Sequence, residues 1–508
     1  MKTEKYILKN WHLTIILFAG TIVRFIYGYS SKAWLGAPDQ LAWGLCIDEM
    51  LHNKIWSYIQ LVHAPHEGGS FFISLLSLLF RPLQFILPSL SFTALIIDTI
   101  ARFIQIKITQ KLFGNDPAFW FGVWTILSVP LIIPWATVNF GLHSLFSFVP
   151  FVFFYFAINY KENKYLPVIC GIVSGIAVSL SYDSVILAVA SILFLLFIIN
   201  DLKVKISKIL TFVAAFILAL LPHLFTRVFL TTDSSLDANS IFSIRGVPVD
   251  GLFTGPHFTN LCTVWFTSLP GSFILSSISF FSANILRVIV LLFLFTGILF
   301  YILSPAIKKE TKLLSLSIVF LFIAAYAFSP FYEGSYSNKS YVYYRHLCYI
   351  LPFLMLIMIN GVLHSGKLKL YLVTAWIILC SVASFQYICS TQKIDQPAYR
   401  AAGWILAKKY SDNVNKLFQI HAVAETQYQD ELLIGFGWGL SAAIFENKSD
   451  TASIEQLIHV VKQCPEKYQP GLIQGIHYSF NKGITPVLDQ KFPAIINFRL
   501  QKNNEKIM

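Results

Sequence analysis

The chain has 508 residues, of which 56% are hydrophobic and only 13% are charged. A soluble domain carries about 25% charged residues, so this composition cannot supply the surface of a soluble protein. The formal net charge of +12 comes from short basic clusters between apolar segments, a pattern typical of membrane-protein loops rather than of a nucleic-acid-binding surface. The composition therefore predicts an integral membrane protein with no nucleic-acid partner.

Apolar segments of helical length predict an all-α fold, a polytopic bundle of about ten to thirteen transmembrane helices. The first segment has a basic start and no clean cleavage site, so we expect an uncleaved helix with a cytoplasmic amino terminus. The apolar segments lie near residues 11–29, 69–88, 90–112, 117–136, 141–159, 166–181, 184–200, 207–226, 285–304, 312–330, 345–362 and 368–389.

Basic clusters predict which loops face the cytoplasm, because loops rich in Lys and Arg stay on that side of the membrane. The clusters are residues 160–165, 201–208, 307–312 and 364–369. The number of spans between them places the following segments outside: 29–68, a large loop at 227–284, 330–344, and everything after residue 389.

Lys107 and Lys111 disagree with this topology, because they also look cytoplasmic. If they are, the segments 69–88 and 90–112 cannot both cross the membrane fully. Either one of these segments is partial or interfacial, or the two lysines lie outside for a functional reason. The sequence leaves both alternatives open.

The composition changes after residue 389, which divides the chain into a membrane domain, 1–389, and a small soluble helical domain, 390–508, predicted to be extracytoplasmic. Within the second domain, "YQDELLIGFGW" at 428–438 resembles "YQPGLIQGIHY" at 468–478. A period of this size is typical of stacked helical pairs. Chance similarity within a small helical domain is the alternative.

Asp39 lies in "GAPDQLAWGLCIDEM", directly after the first apolar segment and at a predicted helix start that Pro38 fixes. The carboxylate can serve as the helix N-cap. The same position would also hold it rigidly at the membrane surface, where partial burial raises the pKa of a carboxyl towards a value useful for a general base. Both interpretations remain open.

The stretch "VHAPHEGGSFF" at 62–72 places His66 and Glu67 immediately before an apolar segment. Glu67 can form a carboxylate pair with Asp39. The ligand types also permit a divalent metal ion held by Asp39, Glu67 and His66, the one cofactor that the sequence suggests. The alternative is an ordinary polar helix start that two glycines make flexible.

One acidic side chain, Asp98, falls within a predicted membrane segment, and another, Asp183, falls between two of them. Asp98 and Arg102 are four residues apart on one helix, so they would neutralise each other there, and we expect a structural ion pair. Asp183 lies at the predicted outer end of its helix and is a candidate substrate contact.

Several motifs, in order, resemble those of the GT-C glycosyltransferases of the protein-mannosyltransferase and aminoarabinose-transferase type. Arg24 in "GTIVRFIYGYS" precedes Asp39 by about fifteen residues, and Trp43 follows four later. The other motifs are "QKLFGNDPAFWFGVWTILSVP" (110–130), "LPVICGIVSGIAVSLSYDS" (166–184) and "YVYYRHLCYILPF" (341–353). The resemblance covers most of residues 10–360, but the family's Asp-Glu pair reads Asp39-Gln40 here.

This resemblance implies transfer of a sugar from a polyprenyl-phosphate-linked donor to a cell-envelope acceptor, at the outer face of the plasma membrane. Asp39 and Glu67 would be catalytic. The groups implied for substrate and phosphate binding are Arg345, Arg24, His66, His346, Trp43 and Tyr344, with guanidinium best suited to phosphate and the aromatic rings to sugar faces. A polymerase or ligase of surface glycans, and a transporter or flippase of lipid-linked glycans, are the alternatives.

Overall fold

The computed structural model describes residues 10–31, 68–83, 88–138, 142–229, 257–274, 283–328, 346–390, 396–411, 413–424, 426, 429–445 and 451–479. These residues are helical and include no β-strand, which confirms the all-α prediction. They divide into two compact units, the helices up to Ser390 and the helices from Gln396 onwards.

The first unit contains sixteen α-helices in the described residues, which we number in chain order. They are α1 (Asn10–Ser31), α2 (Gly68–Ser77), α3 (Ser89–Phe113), α4 (Asn115–Leu127), α5 (Ile132–Trp135), α6 (Leu142–Leu145), α7 (Val149–Asn159), α8 (Leu166–Leu180), α9 (Val185–Ile198), α10 (Leu202–Phe229), α11 (His257–Thr263), α12 (Leu269–Ile274), α13 (Ala283–Leu303), α14 (Lys309–Phe328), α15 (Leu347–Leu363) and α16 (Lys369–Ser390).

Six of the described helices, α1, α3, α10, α13, α14 and α16, are long and apolar enough to cross a membrane. Shorter apolar helices of 10–17 residues include α7, α8 and α15. This supports a membrane protein with several spans. The predicted total of about ten to thirteen is larger than the six helices of spanning length in the described part of the chain.

Side-chain contacts give the direction of the first helices. α1 and α3 are antiparallel, because Arg24 contacts Asp98 while Leu17, two turns earlier, contacts Arg102. α4 runs parallel to α1, since the rings of His12 and Phe119 are 6.4 Å apart at their starts. The carboxyl end of α3, with Lys107 and Lys111, therefore lies where α1 begins.

The remaining basic clusters lie at this same end. Lys111 is 5.3 Å from the ring of Tyr155, near the end of α7 and just before the cluster 160–165. Lys161 in that cluster is 3.5 Å from Glu310 at the start of α14. We call this the basic end of the first unit, and the other end the far end.

α9, α13 and α15 also end at the basic end. Lys309 at the start of α14 lies over the ring of Phe197 near the end of α9, 5.7 Å from its centroid, so the cluster 201–208 follows there. Gly297 of α13 packs on Met358 of α15, so these helices run side by side towards the clusters 307–312 and 364–369.

The topology conflict at Lys107 and Lys111 is explained by the short α2. α2 has only ten residues and passes into a 3-10 helix, Leu78–Leu83, that contains Pro82. About 20 residues are needed to cross the hydrocarbon core. This length agrees with the alternative in which segment 69–88 crosses only in part, and the contacts of α3 place both lysines at the basic end.

The chain between α4 and α7 is broken into short pieces, since α5 and α6 have four residues each. Pro130 and Pro134 interrupt helical hydrogen bonding here, and every residue from 128 to 138 is buried. Thr137 lies against Gly28, near the end of α1. Irregular backbone at membrane depth is tolerated where protein covers it or where it lines a cavity, so the far end has an irregular protein interior.

Glycines allow the helices of this unit to approach closely, as is common in membrane bundles. A Cβ added at Gly171 or Gly175 of α8 would lie 2.6 Å from the carbonyl oxygen of Phe212 or Phe216 in α10. The sequence pattern that suggested a Gly-rich helix thus marks a helix–helix interface.

α11 and α12 are joined by a π-helical turn, Val264–Ser268, and pack against α13, α14 and α16. They lie inside residues 227–284, which the sequence predicts as a large outer loop. The prediction missed this helical stretch because Pro270 and Gly271 interrupt its apolar pattern, although both residues are buried here.

The second unit contains five helices in the described residues, α17 (Gln396–Lys409), α18 (Val414–Val423), α19 (Gln429–Phe445), α20 (Thr451–Gln463) and α21 (Gln469–Ser479). The two similar sequence segments correspond to α19 and α21, which pack directly on each other. Gly437 of α19 faces Leu472, and Gly475 of α21 faces Ile434, with backbone against backbone. The shared glycines therefore mark the interface of this helix pair.

Candidate functional site

Most of the predicted site residues lie outside the described part of the chain. These are Asp39, Trp43, His66, Glu67, Tyr344 and Arg345. The Asp39–Glu67 pair and the metal site that adds His66 therefore remain predictions. Among the described residues, no group of three His, Cys, Asp or Glu side chains is arranged to hold a metal ion.

Arg24 is part of a buried ion cluster inside the first unit. Its Nε is 3.0 Å from Oδ2 of Asp98, and the Nε of Arg102 donates a 2.8 Å hydrogen bond to the same oxygen. The three side chains are at most 5% exposed. We call this group the Arg24–Asp98–Arg102 cluster.

The other N–H groups of Arg24 are bonded to the protein. They donate to the carbonyl oxygens of Gly20 and Ile126 and to Oγ of Ser128. Ser128 follows α4 with a φ of 49°, in the left-handed region, which turns the chain at the end of that helix. The negative end of the α4 dipole thus helps to offset the second positive charge of the cluster.

Arg102 is bonded in the same way, to Oγ1 of Thr21 and of Thr99. Gly20 leaves the space that its guanidinium occupies. The cluster therefore joins α1, α3 and α4. Sequence spacing predicted the Asp98–Arg102 pair but missed Arg24. The geometry gives no support to Arg24 as a phosphate ligand, because its side chain is buried and both of its Nη atoms donate to the protein.

A second polar group lies at the far end, around the 3-10 turn Tyr182–Ser184, which connects α8 to α9. Asp183 is bonded to His346, with Oδ1 and Nδ1 3.2 Å apart. Ser184 Oγ is 2.7 Å from the Tyr349 hydroxyl. These contacts bring together residues that are more than 160 positions apart in the sequence.

The same turn also contacts α10, because the Tyr182 hydroxyl lies 3.1 Å from Nε2 of His223. Three consecutive residues thus bond to two other elements, α10 and the start of α15. His346 immediately precedes α15, and its ring centroid is 5.9 Å from that of Tyr326, near the end of α14. The Asp183–His346 pair is less buried than the ion cluster, with side chains 15% and 10% exposed.

An apolar groove runs along the partly exposed face of α14. It has a volume of about 550 Å³. Its lining includes Leu193, Leu261, Trp265, Leu313, Phe320 and Ala324. From Leu313 to Ala324 the helix rises about 17 Å at 1.5 Å per residue. Ala324 and Tyr326 are two residues apart and so point to opposite sides of α14, and the lining of the groove does not include Asp183 or His346.

Sequence reasoning identified Asp183 and His346 separately but could not pair them, and it did not identify Tyr182, His223 or the groove. The sequence did contain one signal, which is position along the spans. The predicted topology places Asp183, His346, Tyr182 and His223 at the same, outer end of the membrane segments. Comparison with known proteins found no protein family, no curated protein and no solved structure that matches this chain.

Proposed function

We propose that this chain transfers a sugar from a polyprenyl-phosphate-linked donor to a cell-envelope acceptor at the outer face of the plasma membrane. The observation that carries the proposal is that α14 bears an apolar groove on one face and, near its end, packs against the Asp183–His346 pair on another. A lipid-linked sugar has the same two parts, an apolar chain and a polar reacting head.

The groove lies at the right depth for a lipid chain. Its wall is α14, one of the helices long enough to span a membrane, and its remaining lining is almost entirely aliphatic or aromatic. A polyprenyl chain that moves from the bilayer into this groove replaces apolar contacts with lipid by apolar contacts with protein. The head group is thereby led to the far end, where the polar side chains are.

The positive-inside rule supports the sidedness of the proposal. With the basic end in the cytoplasm, the Asp183–His346 pair lies towards the outer face. Arg345 directly precedes His346 in the sequence, so the same segment carries a guanidinium group suited to binding the departing phosphate. Asp39, with Glu67, keeps its predicted role as the carboxylate that accepts the acceptor's proton. The C-terminal unit belongs to the same outer face in this proposal.

The test compares the wild-type protein with Asp39→Asn and Arg345→Gln in membranes of the native host. We expect a lipid-linked sugar to accumulate and one envelope glycan modification to disappear, both measured by mass spectrometry. Glu162→Gln is the matched control, because this carboxylate is 91% exposed at the basic end. Unchanged glycans and carrier pools with normally expressed variants would overturn the proposal.

One observation favours a second function, a flippase for lipid-linked glycans. Transporters build their substrate sites from interrupted helices, and the stretch between α4 and α7 is interrupted. Purified protein in vesicles that contain a lipid-linked sugar separates the two functions. A flippase moves the lipid between leaflets without an acceptor, whereas a transferase releases polyprenyl phosphate only when the acceptor is present.

A further inference from the structure

We propose that the groove on α14 also binds an anionic phospholipid of the inner leaflet, with one acyl chain in the groove and the phosphate at Lys309. The contacts of the groove and of Lys309 carry this binding site by themselves. Its regulatory consequence, competition between the phospholipid and the polyprenyl chain of the donor, rests on the proposed transferase function.

Two helices lead from the groove to one lysine. Leu193 of α9 and Leu313 of α14 both line the groove. Residues four apart share a helix face, so the next position along each lining face is Phe197 in α9 and Lys309 in α14. These two side chains meet, because Nζ of Lys309 lies over the ring of Phe197, 5.7 Å from its centroid. The antiparallel helices therefore connect the groove to an ammonium group at the basic end.

Lys309 is exposed, and positive charge predominates around it. Within the described part of the chain its ammonium makes no hydrogen bond or ion pair. The adjacent acid, Glu310, is 3.5 Å from Lys161 and so already has a cationic partner. α10 begins shortly after α9 ends, and its first turn adds to the charge. The further lysines of these segments are Lys203, Lys205 and Lys308.

The two parts of an anionic phospholipid match this arrangement. The cytoplasmic leaflet carries anionic lipids, and basic sites between transmembrane helices on that side bind their head groups. Lys309 begins α14, a helix long enough to span a membrane, and so lies near the head groups when the basic end is cytoplasmic. The groove extends about 17 Å along α14, compared with about 15 Å for one leaflet of the hydrocarbon core. One acyl chain can therefore lie along it.

The phospholipid and the donor approach this groove from opposite leaflets. The proposed function leaves the head group of the donor at the outer face, whereas the phosphate of the phospholipid lies at Lys309. Both chains would contact the same lining residues in a volume of about 550 Å³. Binding of one chain then excludes the other, which makes the phospholipid a competitive inhibitor of the donor.

Trp265 provides a probe of the groove, because its indole is part of the lining, 5.2 Å from the ring of Phe320. Brominated acyl chains quench tryptophan fluorescence on contact. The experiment places full-length protein in phosphatidylcholine vesicles with increasing fractions of brominated phosphatidylglycerol or brominated phosphatidylcholine. The signal of Trp265 is the quenching that Trp265→Phe lacks. We expect half-maximal quenching at an about fivefold lower fraction of the anionic lipid, the effect of one lysine near a charged head group.

Substitutions of Lys309 test whether this preference comes from its charge. We expect Lys309→Gln to remove the preference without changing the quenching by brominated phosphatidylcholine, and Lys309→Arg to keep it. Lys164→Gln is the matched control, because Lys164 is also exposed over an aromatic ring, that of Tyr165, but belongs to the loop between α7 and α8. Equal quenching of wild-type Trp265 by the two lipids would overturn the inference. So would an equal loss of preference in Lys164→Gln.

The competition is measured separately, as sugar transfer from the lipid-linked donor in the same vesicles with unbrominated lipids. We expect phosphatidylglycerol to raise the KM for the donor at constant kcat, and Lys309→Gln to remove most of this rise. A fall in kcat at constant KM would overturn the competition. Absence of transfer in every lipid mixture would overturn the proposed function, whereas the quenching of Trp265 would still decide whether the phospholipid site exists.

Discussion

The Arg24–Asp98–Arg102 cluster and the Asp183–His346 pair are both charged groups that join distant helices of the first unit, yet their chemistry differs. The cluster combines one carboxylate with two guanidinium groups that cannot lose their protons. The pair combines a carboxylate with an imidazole, a type of side chain that can lose its proton. What distinguishes the structural group from the candidate reactive one is thus the kind of cation as well as the depth of burial.

The largest effect expected is on the cluster. Asp98→Ala leaves two buried guanidinium groups without their carboxylate, and breaking a buried ion pair on one side costs about 3–5 kcal/mol. We expect most of the folded protein to be lost, measured as the monodisperse fraction after extraction in mild detergent and as the midpoint of thermal unfolding. Asp183→Asn, measured in parallel, should leave the folded fraction nearly unchanged.

Replacing all three residues of the cluster tests whether uncompensated charge causes the loss of folded protein in Asp98→Ala. The triple variant Arg24→Leu, Asp98→Leu and Arg102→Met has no buried charge left to compensate, and such replacements are often neutral or stabilising. We expect it to recover much of the folded protein that Asp98→Ala loses. A triple variant no more stable than Asp98→Ala would show that the hydrogen bonds to Thr21 and Ser128, rather than charge compensation, hold these helices together.

The cluster also shows how far the sequence determines such a site. Asp98 and Arg102 could be paired from their spacing alone, because i and i+4 share a helix face. Arg24 could not, since its partner depends on the direction of α3, which the sequence left undecided. The contacts between α1 and α3 give that direction, and they become visible only in the folded structure.

The same limit applies to the far end. Apolar segments of helical length predicted the long helices well, but the interrupted stretch from Ser128 to Phe148 and the helical stretch His257–Ile274 have no simple period. Asp183 and His346 meet only through the packing of α8, α9 and α15. A contact between residues 163 positions apart cannot be deduced from one sequence, even when each residue has been noticed.

The second unit provides an intermediate case, the pair formed by Arg400 and Glu431. Nε and Nη2 of Arg400 lie 2.7 Å and 2.6 Å from Oε2 of Glu431, with side chains 25% and 10% exposed. Water still reaches the guanidinium, so Glu431→Gln should cost less than Asp98→Ala, about 1.5 kcal/mol for a hydrogen bond to a charged group. Faster hydrogen exchange in α17 and α19 of the full-length protein would measure it.

Glu455→Gln is the control for this prediction, because Glu455 is exposed on α20 of the same unit. It should leave the exchange rates of α17 and α19 unchanged. If Glu431→Gln behaves like Glu455→Gln, the pair contributes nothing measurable, as many partly exposed ion pairs do.

Asp183→Asn should have a still smaller effect on stability. The pair is more exposed than the cluster, and asparagine can keep a hydrogen bond to Nδ1, so we expect a loss of at most about 1 kcal/mol. The midpoint of thermal unfolding in detergent measures it. A loss as large as that of Asp98→Ala would contradict the comparison and make the pair a structural element.

The smallest effect expected is the pH dependence contributed by His421, a third kind of buried titratable group. It is 4% exposed, and its ring centroid lies 4.8 Å from that of Tyr468. Burial lowers the pKa of His421 below its usual 6.5; Asp430 and a hydrogen bond with the backbone of Gln429 oppose this shift, and Lys467 adds to it. The unfolded chain therefore binds the proton more readily than the folded unit does.

The stability that follows from this difference is present above about pH 6.5 and is lost as the pH falls from there towards the folded-state pKa of His421. We expect hydrogen exchange in α18 and α19, corrected for the intrinsic pH dependence, to accelerate between pH 7.5 and pH 5.5. His421→Leu cannot take up a proton and should remove this acceleration, whereas His459→Leu, at an exposed position on α20, should keep it. Equal acceleration in His421→Leu and the wild-type protein would show that other groups titrate. The burial of His421 would then have no measurable consequence for stability, in contrast to the burial of Asp98.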